Sequence, residues 1–236
     1  MSRWSYHIPI LGYHRVGPFK GDHVPTVSAE AFERQLWWMA RWRYRVVGLD
    51  EVVAALDRGT SMPRRTTVIT FDDGYEETCT VAWPLLKRFG FPATVFVTPG
   101  EVGLPGFATW EQIQAMGQEG MTIGSHTMHH SYLPLVPLEQ LPEELAGSRQ
   151  VIEERLRRPV QFLSYPIGGF TPDAQQAARQ AGYLAACTTN RAVSQAALDR
   201  YALRRIKMTD RDANPLSLRT KLSGYYDLFR QLRQPS

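Results

Sequence analysis

The chain has 236 residues, 43% hydrophobic and 21% charged, enough for one domain with a sizeable core and unlike a disordered or low-complexity protein. Its formal net charge of +4 is uneven, because residues from 204 onward carry eight Lys/Arg against three Asp and the remainder is close to neutral. Cys79 and Cys187 lie far apart with no C-x-x-C pattern, so two buried thiols are expected and a disulfide framework is excluded.

From the N-terminus, residues 1–7 lack the apolar core of a secretory signal, and no apolar run reaches ~18 residues. As written, the chain is expected to be cytoplasmic, or extracytoplasmic if it has been trimmed of an export segment. Ile8–Tyr13 reads as a strand, and Ala29–Trp42 as a helix with Phe32, Leu36, Met39 and Ala40 on one face. A short strand Tyr44–Val47, a helix Leu49–Leu56 and the β-branched strand Thr67–Phe71 follow, the last stopping at Asp-Asp-Gly. Next come a helix Ala82–Phe89 closed by Gly90, a strand Ala93–Val97, a helix Trp110–Gly117 and a short strand Thr122–Ile123. A long helix is expected over Leu138–Leu156, then a strand Phe162–Tyr165, a helix Pro172–Ala181 closed by Gly182, and a strand Ala185–Thr188. The basic C-terminal stretch can meet nucleic acid, an anionic lipid surface or an anionic glycan, but its leucines and aromatics are spaced like a packing face. No nucleic-acid-binding module is recognisable, and membrane-surface contact is the weaker reading.

Strand–helix alternation argues for an α/β protein with parallel strands and helices packed outside. Seven or eight such units fit an irregular (β/α) barrel of about seven strands better than an open sheet. No linker or repeat divides residues 1–236, which read as one domain with a basic helical C-terminal extension from about residue 212.

In such a barrel the C-terminal strand ends carry the active site, and Asp72, His126 and Tyr165 fall at or just after those ends. Adjacent carboxylates at Asp72 and Asp73 repel unless a cation or a shared proton offsets the repulsion; taken alone, Asp-Asp-Gly-Tyr reads more simply as a capping turn. The segment His126-Thr127-Met128-His129-His130 holds three of the six histidines. Imidazoles at i and i+4 meet on a helical face or in a tight turn, and borderline cations such as Zn²⁺ favour them. With the paired carboxylates at another strand end, these form an Asp/His/His site that leaves coordination positions open, as a catalytic metal needs.

The combination resembles the polysaccharide deacetylases of carbohydrate esterase family four, whose catalytic region is the NodB homology domain. Thr70-Phe71-Asp72-Asp73-Gly74-Tyr75 matches the first motif and Gly124-Ser125-His126-Thr127-Met128-His129-His130 the second, with Phe91–Val97 and Ser164-Tyr165-Pro166-Ile167-Gly168 also alike. Tyr13-His14-Arg15-Val16 is similar to the permuted poly-N-acetylglucosamine deacetylase branch. The resemblance implies a NodB-type barrel and a divalent metal, zinc first with cobalt or nickel fitting the same ligands, held by Asp73, His126 and His130. It implies Asp72 as general base toward the attacking water, His14 as general acid to the leaving amine, and the Tyr165 backbone N–H as an oxyanion donor. The Arg that usually opens the third motif is absent, and Arg205, in Leu203-Arg204-Arg205-Ile206, matches the Arg that the permuted branch carries later and would pair with Asp72. The Leu-x-His motif of the unpermuted branch is also absent, since no histidine follows His130. Outside the metal cluster, His7 and His23 are the only other histidines available as acids.

The expected activity is hydrolysis of an N-acetyl amide on a carbohydrate, whether polymer, oligosaccharide or glycan precursor, with an amino-sugar or N-acetylated glycan as substrate. Without an export segment, a nucleotide- or lipid-linked sugar becomes the natural candidate. Trp110, Tyr132 and Phe170 can stack on sugar rings, although each reads more simply as packing, as do Trp37, Trp38 and Trp42. The alternatives are an amidase or deformylase acting on a non-polymeric substrate, and a catalytically silent glycan-binding module.

Overall fold

The computed structural model describes residues 8–18, 24–190 and 199–226. Ten strands are present among them: β1 (Ile10–Tyr13), β2 (Arg15–Val16), β3 (Thr26–Val27), β4 (Arg45–Val47), β5 (Thr66–Phe71), β6 (Thr94–Val97), β7 (Thr122–Ser125), β8 (Phe162–Ser164), β9 (Ala185–Thr188) and β10 (Leu203–Lys207). Seven of them close a parallel ring in the order β1-β10-β9-β8-β7-β6-β5, and β5 returns to β1 with Ile10 opposite Val68 and Tyr13 opposite Phe71. This is the (β/α) barrel that the alternating pattern implies. The short strand around Tyr44–Val47 stands outside the ring: β4 pairs with the first half of β5, at Thr66–Val68, on the edge that β6 takes over at Thr70 and Phe71. β2 and β3 form a separate two-stranded ribbon, and β10 completes the ring.

Successive residues of a strand point to opposite faces, and the buried residues divide accordingly. Ile10, Val68, Phe96, Phe162, Ala185, Cys187 and Leu203 form one cluster inside the ring, joined by Leu49, Val52 and Val53 of helix α2 (Leu49–Asp57). Their neighbours Leu11, Ile69, Val95, Leu163, Ala186 and Ile206 belong to the outer cluster under the helices. Followed toward the C-terminal strand ends, the inner face turns polar at His14, Thr70, Asp72, His126, Ser164 and Arg205. Gly124 also lies on this inner face, where a β-carbon would stand 2.6 Å from Phe96 Cδ1 and 2.9 Å from the Phe162 carbonyl oxygen.

The outer helices are α1 (Ala29–Arg41), α3 (Trp83–Phe89), α4 (Trp110–Gln118), α5 (Ser148–Leu156), α6 (Pro172–Gln180) and α7 (Pro215–Lys221). Local sequence sets their ends: Ser28 caps α1, Thr109 and Gln112 form a reciprocal capping box on α4, and Thr171 caps α6 with Pro172 in its first turn. Gly90 ends α3 in the left-handed conformation at φ 65°. On α1 the stripe Phe32, Gln35, Leu36 and Met39 is buried, while Trp38 stacks on Trp42 at 5.0 Å. Trp37 departs from the packing expectation, with 48% of its surface exposed.

The expected long helix Leu138–Leu156 is continuous but not uniform. It opens with a 3₁₀ turn at Leu138–Gln140, widens to a π-helical turn at Glu143–Gly147 and is regular α-helix over Ser148–Leu156. Pro142 lies near the start of this stretch with helical φ/ψ, where a missing N–H is tolerated, and the wider π-helical turn follows it. No helix among the described residues is long and apolar enough to cross a membrane. The short α7 packs by Leu218, and Lys221 donates to Asp212 at 2.7 Å.

Gly124→Ala tests the tightness of the barrel interior. Crowding Phe96 and the β8 backbone is expected to cost about 1–3 kcal/mol, read as a lower thermal midpoint; an unchanged midpoint would mean the interior has slack.

Candidate metal centre

At the mouth, the β5 ladder carries one residue past its end, with the Asp72 N–H donating to the Tyr13 carbonyl at 2.9 Å. Asp72 therefore keeps the inner-face direction of Val68 and Thr70. Asp73 and Gly74 then take left-handed conformations at φ 71° and 75°, a sharp reversal that lets the second carboxylate also face the mouth. His126 extends β7 in the same way, its N–H donating to the Val97 carbonyl at 2.8 Å. Thr127 and His130 are left-handed at φ 66° and 57°, and the turn folds His130 back so that its ring centroid lies 5.0 Å from that of His126. A non-glycine residue in this region costs about 1–3 kcal/mol and persists where the surroundings over-determine it.

Asp73 Oδ1 lies 3.3 Å from His126 Nε2 and 3.2 Å from His130 Nε2. The ligating atoms of these three residues are all within 4.8 Å of one another. The buried Asp73 Oδ1 receives no hydrogen bond among the described residues. His126 Nδ1 is 2.7 Å from the Ser164 carbonyl oxygen, which can only accept, so Nδ1 carries the proton. A neutral His126 then presents a lone pair from Nε2 toward a carboxylate oxygen that is itself an acceptor. Acceptors gathered around one point repel unless a cation lies among them, so these residues fit a divalent metal. Burial alone would raise the Asp73 carboxyl, but positive charge at this point, carried by the two imidazoles when they are protonated, outweighs it and holds Asp73 well below the ordinary range. The same contact raises His130.

Asp72 is committed elsewhere. Arg205 grips both its oxygens, Nη1 to Oδ1 at 2.7 Å and Nη2 to Oδ2 at 2.6 Å, and also donates to Thr70 Oγ1 and Ser164 Oγ at 3.1 and 2.8 Å. Burial pushes the Asp72 carboxyl up, but Arg205, with help from His126, overrides this and keeps it below its usual value. Gly12 packs against Arg205, and a β-carbon there would stand at ordinary contact distance, 3.8 Å from Cζ. His14 follows β1 on the inner face, its Nε2 3.8 Å from Asp72 Oδ2. Desolvation lowers the His14 pKa against the pull of Asp72 and Asp73.

Tyr165 requires a correction. Its N–H is donated to the Cys187 carbonyl at 3.0 Å as part of the β8–β9 ladder, so it is not open to an oxyanion. Its ring has the opposite parity to Ser164, is fully buried in the outer layer and stacks on Phe170 at 4.7 Å, which also makes Phe170 a packing residue. Pro166 has no N–H, so the next main-chain donor on this strand end is Ile167, an exposed residue at φ 58°. The two bonds closing the turn come from Gly168 to the Tyr165 carbonyl and from Gly169 to the Pro166 carbonyl, and neither uses the Ile167 N–H.

His129, the third imidazole of the cluster, turns away from Asp73 and toward Glu144, with Nδ1 3.0 Å from Oε1. His7 and His23 lie outside the described residues. Trp110 begins α4 beside Arg155, whereas Tyr132 is 39% exposed in the loop that follows the second motif. Sequence reasoning missed Ser164, which serves both His126 and Arg205, although its two-residue spacing from the inner-face Phe162 is the signal that finds it. It also missed Glu144, whose direction depends on the π-helical turn.

The chain is 29% identical over 202 residues to YxkH of Bacillus subtilis (strain 168), covering 86% of this chain and 71% of that one. It is 26% identical over 171 residues to the poly-beta-1,6-N-acetyl-D-glucosamine N-deacetylase of Staphylococcus aureus (strain MRSA252), covering 66% of this chain and 59% of that protein's length. Among solved structures, a Streptococcus pyogenes deacetylase, PplD, in complex with acetate superposes with a TM-score of 0.84 at 27% identity, covering 91% of this chain and 97% of that one. The polysaccharide deacetylase family model matches residues 59–186, a span that includes Asp72, Asp73, His126 and His130, and the chain belongs to that family.

Proposed function

We propose that this chain is a divalent-metal-dependent hydrolase that removes N-acetyl groups from a carbohydrate. The observation that carries the reading is the convergence of Asp73, His126 and His130 on one point beside an Asp72 held ionised by Arg205. Three protein ligands leave coordination positions for water and substrate, as catalytic rather than structural sites do. Zinc suits this donor set, and cobalt or nickel would fit it too.

A divalent cation, when bound, supplies Lewis-acid polarisation of the acetyl carbonyl and makes the attacking water more acidic. Asp72 accepts the proton of that water; Arg205 orients the carboxylate and keeps it charged, while each oxygen retains a lone pair beyond the one Arg205 occupies. The developing oxyanion needs a main-chain donor, and the Ile167 N–H takes the part that the ladder denies to Tyr165. His14, 3.8 Å from Asp72, is the group that delivers a proton to the leaving amine. Relatives named as poly-beta-1,6-N-acetyl-D-glucosamine N-deacetylases support an N-acetylated glycan or amino-sugar as the substrate class.

The direct test is acetate release by purified protein from N-acetylglucosamine oligomers and from a nucleotide-linked N-acetyl sugar, before and after chelation and zinc return. Metal-dependent acetate is expected. No acetate from either, with one ion bound per chain, would transfer the weight to another amide, such as a formyl group, or to a silent glycan-binding module. Asp72→Asn should retain the ion yet lose about 10²- to 10⁴-fold in turnover, with a lower thermal midpoint because Arg205 loses its charged partner; undiminished turnover removes Asp72 as the base. His14→Ala should slow amide cleavage more than cleavage of an activated acetyl ester, whose leaving group needs no proton. Equal slowing of both would make His14 structural.

A further inference from the structure

Behind the loop of the second motif lies a buried carboxylate that the chemistry above does not use. Glu144 sits in the π-helical turn Glu143–Gly147 and accepts four hydrogen bonds from one short segment. Met128 N–H and His129 N–H donate to Oε2 at 3.0 and 3.1 Å. Ser131 Oγ donates to Oε1 at 2.8 Å, and His129 Nδ1 lies 3.0 Å from the same oxygen. The Met128 N–H also reaches the Glu144 carbonyl at 3.0 Å, and from the opposite side the Gly100 N–H donates to the Met128 carbonyl at 2.9 Å. The fit there is close, since a β-carbon on Gly100 would stand 2.8 Å from that carbonyl oxygen and 3.2 Å from His129 Cδ2.

This segment faces a choice that its sequence does not make. His129 and His130 are adjacent and carry the same donor, yet only His130 reaches Asp73, and it does so from a left-handed backbone at φ 57° with Thr127 also left-handed at φ 66°. Without a compensating contact both residues would relax toward ordinary conformations, and the two imidazoles would swing with them. We infer that Glu144 is a positioning residue that selects His130 over His129 as the metal ligand, by drawing the His129 imidazole and the 128–131 segment into its own hydrogen-bond set. Glu144 touches no reacting atom. The inference rests on Asp73, His126 and His130 forming a metal site.

A carboxylate can accept all four donors, whereas an amide offers lone pairs on one oxygen and turns an NH₂ toward the rest. The test is the affinity for zinc and cobalt, from competition with a chromophoric chelator, together with the Co²⁺ absorption spectrum and the thermal midpoint of each apoprotein. It compares the wild-type protein with Glu144→Gln, Ser131→Ala, His129→Ala and His126→Ala. Glu144→Gln is expected to weaken metal binding by about 10- to 100-fold and to alter the cobalt spectrum, Ser131→Ala to weaken it less, and His129→Ala to keep one ion with the wild-type spectrum. Should Glu144→Gln fail to fold, Ser131→Ala carries the test. Wild-type affinity and spectrum in both Glu144→Gln and Ser131→Ala, with binding lost in His126→Ala, would overturn the role of Glu144 and leave the metal site standing. Loss of the ion in His129→Ala would make His129 the ligand and overturn the selection. Wild-type affinity in His126→Ala would remove the metal site itself, and this inference with it.

Discussion

Arg205 is buried inside the barrel wall, and a buried guanidinium without partners would cost several kcal/mol. The mouth of the barrel is arranged around satisfying it. Asp72 supplies both carboxylate oxygens, and Thr70 and Ser164 supply hydroxyls. These contacts tie β10 to the end of β5 across β1 and to the end of β8 across β9. They also divide labour between neighbouring aspartates. Asp72 is fixed, charged and turned inward by Arg205. Asp73, reversed by a left-handed turn, is left to meet the histidines.

A second economy lies in Ser164. Its hydroxyl accepts a hydrogen bond from Arg205, and its carbonyl accepts one from His126 Nδ1. One residue thus helps hold the proposed base and sets the tautomer of a proposed ligand. Fixing a ligand's second nitrogen is how outer groups tune a metal site. Here the outer group is main chain, held by the β7–β8–β9 ladders, so the tautomer of His126 is coupled to the barrel itself. The second histidine has no such support from a strand. His130 sits at the end of a strained loop, and the fixing passes to Glu144, which the π-helical turn carries.

Much of this was legible in the residues. Strand–helix alternation implied the barrel, and the parity of each strand indicates which residues share the interior. The paired aspartates and the histidine cluster at strand ends marked the mouth. The family resemblance pointed to Arg205 with Arg204 one residue away, and strand β10, which the sequence reading did not place, puts Arg205 on the inner face two residues from Leu203. Where the reading went astray, one contact at a distance was responsible. Tyr165 lies beside the right residues, but the Cys187 carbonyl claims its N–H and the outer layer claims its ring. The long helix Leu138–Leu156 was legible as one helical stretch, but its π-helical turn at Glu143–Gly147 was not. The strand around Tyr44–Val47 carries the pattern of a barrel strand, yet nothing local says that β6 holds the rest of the β5 edge and leaves β4 outside the ring.

The sequence by itself determined the elements, their alternation, the family motifs and the chemical types gathered at the strand ends, because each depends on residues within a few positions of one another. Tertiary structure decided which of those groups meet. Asp72 and Arg205 are 133 residues apart, and His126 and Ser164 are 38 apart. Such pairs exist only once the ring closes, because strand register and the directions of the loops, not local propensity, fix where their atoms lie.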